Sequence, residues 1–254
     1  ADLSHRLRPP ARPVERSGNN VKKIFLLGDS IRLGYDSYVK ESMTNLAEVY
    51  YPAENCRFAA YMLREIHNWA DQLHLEHADV VHWNAGLWDT LRIYGDEPLT
   101  RPATYADTVE RIIKRIRFLF PEAKIIFATS TPVLEEGFFH DFEGRLNRDV
   151  EEYNRIAAEV CLSHGCAINE LYALLKDKPD QTHYYTPDAT ELIGGQVNRV
   201  LCEALDLDPA LLITPDKSKF AITNIPNDKD VYVKKGRLYT KIENIDTQVQ
   251  KHNN

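Results

Sequence analysis

The chain of 254 residues holds 31 Lys and Arg against 38 Asp and Glu, a formal net charge of -7. Its 43% apolar and 27% charged residues are ordinary for a soluble globular protein, and no apolar run approaches the roughly 20 residues of a membrane-spanning helix. The acidic balance argues against nucleic acid as the main partner, because phosphate binding needs a basic face. The length suits one α/β domain with extensions rather than two large domains.

Residues 1–20 place Pro9, Pro10 and Pro13 among Arg and Ser without periodicity, so an extended or disordered N-terminal arm is expected. From there to residue 205 short apolar runs alternate with amphipathic stretches. The strands expected are Lys23–Leu27, Ala47–Tyr51, Val80–Asn84, Lys124–Ala128 and a short Ala167–Asn169. Tyr105, Val109, Ile112, Ile113, Ile116, Leu119 and Phe120 recur at helical spacing, with Thr104 and Asp107 to cap the start and Pro121 to stop it. On that helix Arg111, Lys114, Arg115 and Arg117 read as a solvated face. A second helix carries Leu146, Val150, Tyr153, Ala157 and Val160 and ends before Gly165, and a last one runs from Pro187 to about Leu205. Strands alternating with helices imply right-handed crossovers, a mostly parallel sheet and a three-layer α/β/α sandwich. Beyond Leu205, Leu211–Ile213, Phe220–Ile222, Val231–Val233 and Leu238–Ile242 look like short strands between turn residues, giving a β-rich C-terminal extension over 206–254. Cys56, Cys161, Cys166 and Cys202 form no C-x-x-C pair, and no signal peptide is visible, so reduced thiols in a cytoplasmic protein are expected.

The chemistry concentrates at two places. Ser30 follows the apolar run Ile24-Phe25-Leu26-Leu27 through Gly28-Asp29 and precedes a helical stretch, which sets its hydroxyl at the carboxyl edge of a parallel sheet, where α/β folds hold ligands. About 150 residues later Asp180 and His183 form a D-x-x-H pair before the last helix. A serine hydroxyl attacks a carbonyl only when a base removes its proton, and the base needs an acceptor to fix its ring. The competing readings are a helix N-cap for Ser30 and a surface-loop histidine for His183.

With these two blocks and the third run His82-Trp83-Asn84-Ala85-Gly86-Leu87-Trp88-Asp89, the chain resembles the SGNH, or GDSL, hydrolase family of serine esterases over residues 22–205. It is most similar to the carbohydrate O-acetyl esterase and PC-esterase-like branches. The resemblance implies a flavodoxin-like fold with a five-stranded sheet, Ser30 as nucleophile, His183 as base and then acid, Asp180 as the carboxylate orienting the ring, and no cofactor. It also implies an oxyanion hole of three donors: the Ser30 N–H, a second-block glycine N–H whose place Cys56 takes, and a third-block asparagine whose place Trp88 takes. Any non-proline residue keeps the backbone donor, so Cys56 serves unchanged. For the missing amide, Asn55 and Asn84 are both candidates, Asn55 being favoured because its loop presents it directly.

Arg32 and Arg57 lie close beyond Ser30 and Asn55 and are candidates to line the pocket, with structural ion pairs as the competing reading. Trp88 is a candidate to stack on a sugar ring, and Trp83 has core packing against it as well. Cys56 in this loop reads as a small packing residue rather than a reactive thiol. His74 and His77 stand three apart but have no supporting cluster, so no metal is expected. The reading is an esterase removing short acyl groups, acetyl first, from a carbohydrate or similar small polar ester. A lipid-directed esterase, thioesterase or acyltransferase of the same fold, and a non-catalytic carbohydrate-binding module, stand as alternatives. The partner expected is an acylated small molecule, with no nucleic acid and no membrane; self-association into a homo-oligomer stays open.

Overall fold

The computed structural model describes residues 21–133, 135, 143–178, 186–220, 231–234 and 237–240. The expected N-terminal arm, Asp180 and His183 lie outside the described residues. Five strands, β1 (Lys22–Leu27), β2 (Ala47–Tyr50), β3 (Val80–Trp83), β5 (Lys124–Ala128) and β7 (Ala167–Asn169), form one parallel sheet in the order β2-β1-β3-β5-β7. The strands expected from the apolar runs are all present, to within one residue at each end. Their side chains alternate between two cores. Phe25, Leu27, Val81, Trp83 and Phe127 face one way, against α3 (Ala59–Gln72), α4 (Pro102–Leu119) and α5 (Asn147–Ser163). Ile24, Leu26, Val80, Ile126 and Ala128 face the other, against α1 (Ser30–Leu33), α2 (Asp36–Ser42), α6 (Leu171–Leu175) and α7 (Pro187–Leu205). Both faces are covered, as a parallel sheet requires. The smaller strands β4 (Arg92–Ile93) and β6 (Glu143–Gly144) pair antiparallel beside this sheet.

The expected cap of α4 by Thr104 and Asp107 is corrected. The helix begins at Pro102, whose missing N–H costs nothing in the first turn, and Asp107 instead faces Arg111 one turn on. The extension is corrected in part. Leu211 ends a 3-10 turn rather than opening a strand, and the Ile213 N–H donates to the Ser42 carbonyl at 3.0 Å, tying the segment to the end of α2. Lys217 reaches Asp188 and Glu191 on α7 at 2.7 and 2.6 Å. Backbone strands β8 (Val231–Lys234) and β9 (Arg237–Thr240) do pair as an antiparallel hairpin.

A polar chain runs from α7 past the edge strand β7 to the central strand β3. Arg199 can only donate, so the Gln196 Oε1 it contacts at 2.8 Å is the acceptor and Gln196 Nε2 turns to Asn169 Oδ1 at 3.0 Å. Asn169 Nδ2 is thereby aimed at Nε2 of the fully buried His82, 3.0 Å away, which must accept. The His82 proton then sits on Nδ1, facing the Tyr35 hydroxyl at 3.4 Å. Burial pushes this imidazole down to about 4, so it is neutral at physiological pH.

Candidate active site

Ser30 opens α1 directly after β1, half-buried at the carboxyl end of the strand. Asp29 caps the helix, its Oδ1 accepting the Ile31 N–H at 2.9 Å and the Asn84 side-chain amide at 3.0 Å. Burial raises the Asp29 carboxyl above the usual carboxylate range, against the lowering effect of the Asn84 bond. Gly28 is required by space rather than by backbone angle. A methyl group there would lie 2.0 Å from Asn84 Oδ1 and 2.7 Å from Arg32 Cβ. Asn84 and Arg32 thus pack the nucleophile turn from its interior side.

That corrects two expectations. Asn84, first residue past β3, has no exposed surface and gives its amide to Asp29, so it supports the turn from inside instead of facing a ligand. Arg32 also has no exposed surface. Its guanidinium donates to Asp36 Oδ2 at 2.5 Å, to the Pro52 carbonyl at 2.9 Å and to the Glu54 carbonyl at 2.5 Å, the charge being matched by a carboxylate one helical turn on. Arg32 is therefore a buried tie between the nucleophile helix and the loop after β2. The i, i+4 spacing from Arg32 to Asp36 was the available signal for this pair.

The loop after β2 is bound to the nucleophile turn at a second point. The Cys56 N–H, expected to be an oxyanion donor, donates to the Gly28 carbonyl at 3.0 Å, and the residue is fully buried, with burial pushing its thiol up to about 11. Asn55, by contrast, is half-buried at the loop surface. Its Oδ1 accepts the Arg57 N–H at 2.7 Å, which leaves the amide NH2 to donate elsewhere. Among the described residues, nothing accepts from the Asn55 backbone N–H or its side-chain NH2. Arg57 is exposed, sits in the left-handed region at φ 53°, and lays its guanidinium over the Tyr61 ring at 4.9 Å.

The loop after β3 is held both by its own residues and by side chains from outside it. Gly86, at φ 137°, lets the chain pass beneath the Tyr105 hydroxyl, which donates to the Ala85 carbonyl at 2.7 Å. Asp89 is fully buried and accepts the Ala59 N–H at 3.0 Å, capping α3; burial raises its carboxyl to about 6. Trp88 remains half-exposed, whereas Trp83 is enclosed against Phe127 at 4.9 Å between ring centres. One contributor was missed from sequence: Arg145, nearly buried, donates from Nε to the Leu87 carbonyl at 2.5 Å and brings positive charge toward Asp29. No local pattern links two residues so far apart in the chain.

Asp180 and His183 lie outside the described residues, and the helix that follows them, α7, is tied to the end of α1. Thr186 caps α7 by accepting the Ala189 N–H at 3.1 Å, and the Thr190 hydroxyl donates at 2.8 Å to the carbonyl of Gly34, the residue ending α1. Among the described residues no group of three or more metal-binding side chains comes together, and no helix is long and apolar enough to cross a membrane.

A family model of GDSL-like lipases and acylhydrolases matches residues 26–192. The chain is similar in structure to the lipase/acylhydrolase from Enterococcus faecalis, with a TM-score of 0.55 and 18% identity over 77% of this chain and 100% of that one. It also resembles a member of the lipolytic G-D-S-L family from Veillonella parvula, at a TM-score of 0.50 and 19% identity over 71% and 98% of the two chains. The acetyl xylan esterase AlAXEase gives a TM-score of 0.50 and 16% identity over 72% and 97%. No curated protein matches the sequence significantly.

Proposed function

The chain belongs to the GDSL-like lipase/acylhydrolase family of ester hydrolases, and from that premise we propose that it removes short acyl groups, acetyl first, from a carbohydrate or similar small polar ester. The observation that carries the reading is the nucleophile turn: Ser30 at the carboxyl edge of the sheet, with Asp29, Asn84 and Arg32 enclosed behind it and α7 entering beside α1. In sequence His183 stands three residues before Thr186, the cap of α7.

In the proposed mechanism Ser30 Oγ attacks the ester carbonyl as His183 takes its proton, Asp180 holding the other ring nitrogen. The negative charge on the carbonyl oxygen rests on the Ser30 N–H and on Asn55, in place of Cys56 and Asn84. His183 then protonates the leaving alcohol, and water activated by the same ring releases the acyl group from Ser30. Polar substrates are favoured by the rim: Asn55 and Arg57 offer donors and Trp88 an aromatic face, the combination that binds sugar hydroxyls and ring faces. The name of the acetyl xylan esterase among the similar folds agrees with this substrate class. Four buried free thiols fit the proposed cytoplasmic location.

Acetate release from a panel of acetylated oligosaccharides, beside p-nitrophenyl esters of increasing chain length, tests the proposal. Release from the sugars that is lost in Ser30→Ala is expected. A preference for long acyl chains, with no release from any sugar, would replace it by the lipid-directed or thioesterase reading.

A further inference from the structure

Arg32 is an unusual residue to bury two positions after a nucleophile, and its three partners show what it is set to do. Nη1 holds Asp36 and the Pro52 carbonyl, and Nη2 holds the Glu54 carbonyl. A trans peptide is planar, with its C=O and N–H pointing in opposite directions. Fixing the Glu54 carbonyl on the buried guanidinium therefore turns the N–H of the next residue, Asn55, away from the interior. The following N–H, on Cys56, is spent on the Gly28 carbonyl. The Asn55 side chain is fixed in turn, because its Oδ1 accepts the Arg57 N–H and leaves the NH2 to donate elsewhere. The enclosed cation thus sets the facing of the Asn55 backbone N–H, and the Arg57 N–H fixes the side-chain amide within the loop that the cation holds.

We propose that Arg32 is the positioning residue of the anion-stabilising loop: it does not touch substrate, but by gripping the Pro52 and Glu54 carbonyls it holds the loop that presents the Asn55 backbone N–H and amide to the oxygen that becomes negative during attack. The inference rests on the esterase reading above and names a device within it. Arginine suits the task because its planar fork spans two carbonyls and a carboxylate at once and keeps its charge when enclosed, whereas a lysine ammonium is a single point on a flexible stem. Asp36, buried beside it, supplies the counter-charge that holds the fork in place.

The test compares wild type, Arg32→Lys, Asn55→Ala, the double variant and Ser30→Ala, with p-nitrophenyl acetate turnover and the rate of fluorophosphonate labelling as readouts. Interactions made only in the transition state appear in kcat rather than KM. Arg32→Lys and Asn55→Ala are each expected to lower kcat by about ten- to a hundredfold with KM within about threefold. Because they act through one unit, the double variant is expected to lie within about threefold of Arg32→Lys alone. A folded Arg32→Lys enzyme with kcat within threefold of wild type overturns the proposal, as do fully multiplicative losses. Should Arg32→Lys not fold, Asp36→Asn takes its place: a several-fold lower kcat at constant KM is expected, and an unchanged kcat overturns the proposal. Wild type with neither Ser30-dependent turnover nor labelling overturns the esterase reading and the positioning role together, whereas Ser30-dependent turnover with an unaffected Arg32→Lys overturns only the latter.

Discussion

The loops after β2 and β3 meet behind the same glycine, yet they are held in place in different ways. The loop after β3 spends its own buried Asn84 on Asp29 and Asp89 on the start of α3, while Tyr105 and Arg145 hold its Ala85 and Leu87 carbonyls. The loop after β2 relies on the Arg32 guanidinium, on the Gly28 carbonyl and on its own Glu54, which accepts from Tyr61 and Trp69, while its Asn55 and Arg57 stay at the surface. Where a loop has spent its polar side chains on its own anchorage, few remain for a ligand. The loop after β2 keeps the Asn55 and Arg57 side chains at the surface, and the proposed mechanism therefore gives the anion-stabilising role to Asn55, Trp88 standing where the family has an asparagine.

Gly28→Ala tests both anchors at once. Its added methyl meets Asn84 Oδ1 on one side and Arg32 Cβ on the other, and neither neighbour has room to retreat, so a loss of about 3 kcal/mol in denaturant unfolding, or no folded protein, is expected. Full stability in this variant would show that the two loops do not close on the turn as described. Asp89 comes next. Because its folded carboxyl is raised to about 6 from an ordinary value near 4, the native state binds the extra proton between those values, and this residue's contribution to stability falls as pH rises from about 4 to about 6. Asp89→Asn keeps an acceptor for the Ala59 N–H but cannot ionise. The variant is expected to gain on wild type across that window, by up to about 3 kcal/mol, in melts run at successive pH values. His82, lowered to about 4, tilts both proteins the opposite way and cancels in the difference. Asp89→Ala removes the acceptor as well as the charge and is expected to be about 1–2 kcal/mol less stable than Asp89→Asn at neutral pH.

The smallest effect expected on stability lies at the surface of the loop after β2. Arg57→Ala exchanges an exposed side chain and is expected to change stability by no more than about 1 kcal/mol, while raising KM for an acetylated sugar. A KM equal to wild type would remove Arg57 from the pocket rim.

The sheet and its layers were legible because parallel strands buried on both faces leave uninterrupted apolar runs, and because α4, α5 and α7 repeat their apolar residues at helical spacing. The start of α4 was misplaced because Pro102 begins a helix without a side-chain cap, so the Thr104 and Asp107 signal pointed one turn too late. Leu211–Ile213 has strand-like residues, but Pro209 and the tie of Ile213 to Ser42 set it in a 3-10 turn and an extended contact. At the site, the Gly28-Asp29-Ser30 turn was readable from its place after β1. The facing of Asn84, Cys56 and Arg32 was not, because each depends on a partner that is distant in sequence or on the backbone. Arg145 was invisible for the same reason, its partner Leu87 lying 58 positions away.

The central claim is that Ser30 is made nucleophilic by His183 over this sheet edge. Intact-protein mass after brief exposure to a fluorophosphonate measures that directly in wild type, Ser30→Ala and His183→Ala. A single adduct on wild type, absent from Ser30→Ala and formed at least about a thousandfold more slowly in His183→Ala, is the predicted result. Labelling that persists in Ser30→Ala, or proceeds at the wild-type rate in His183→Ala, would contradict it.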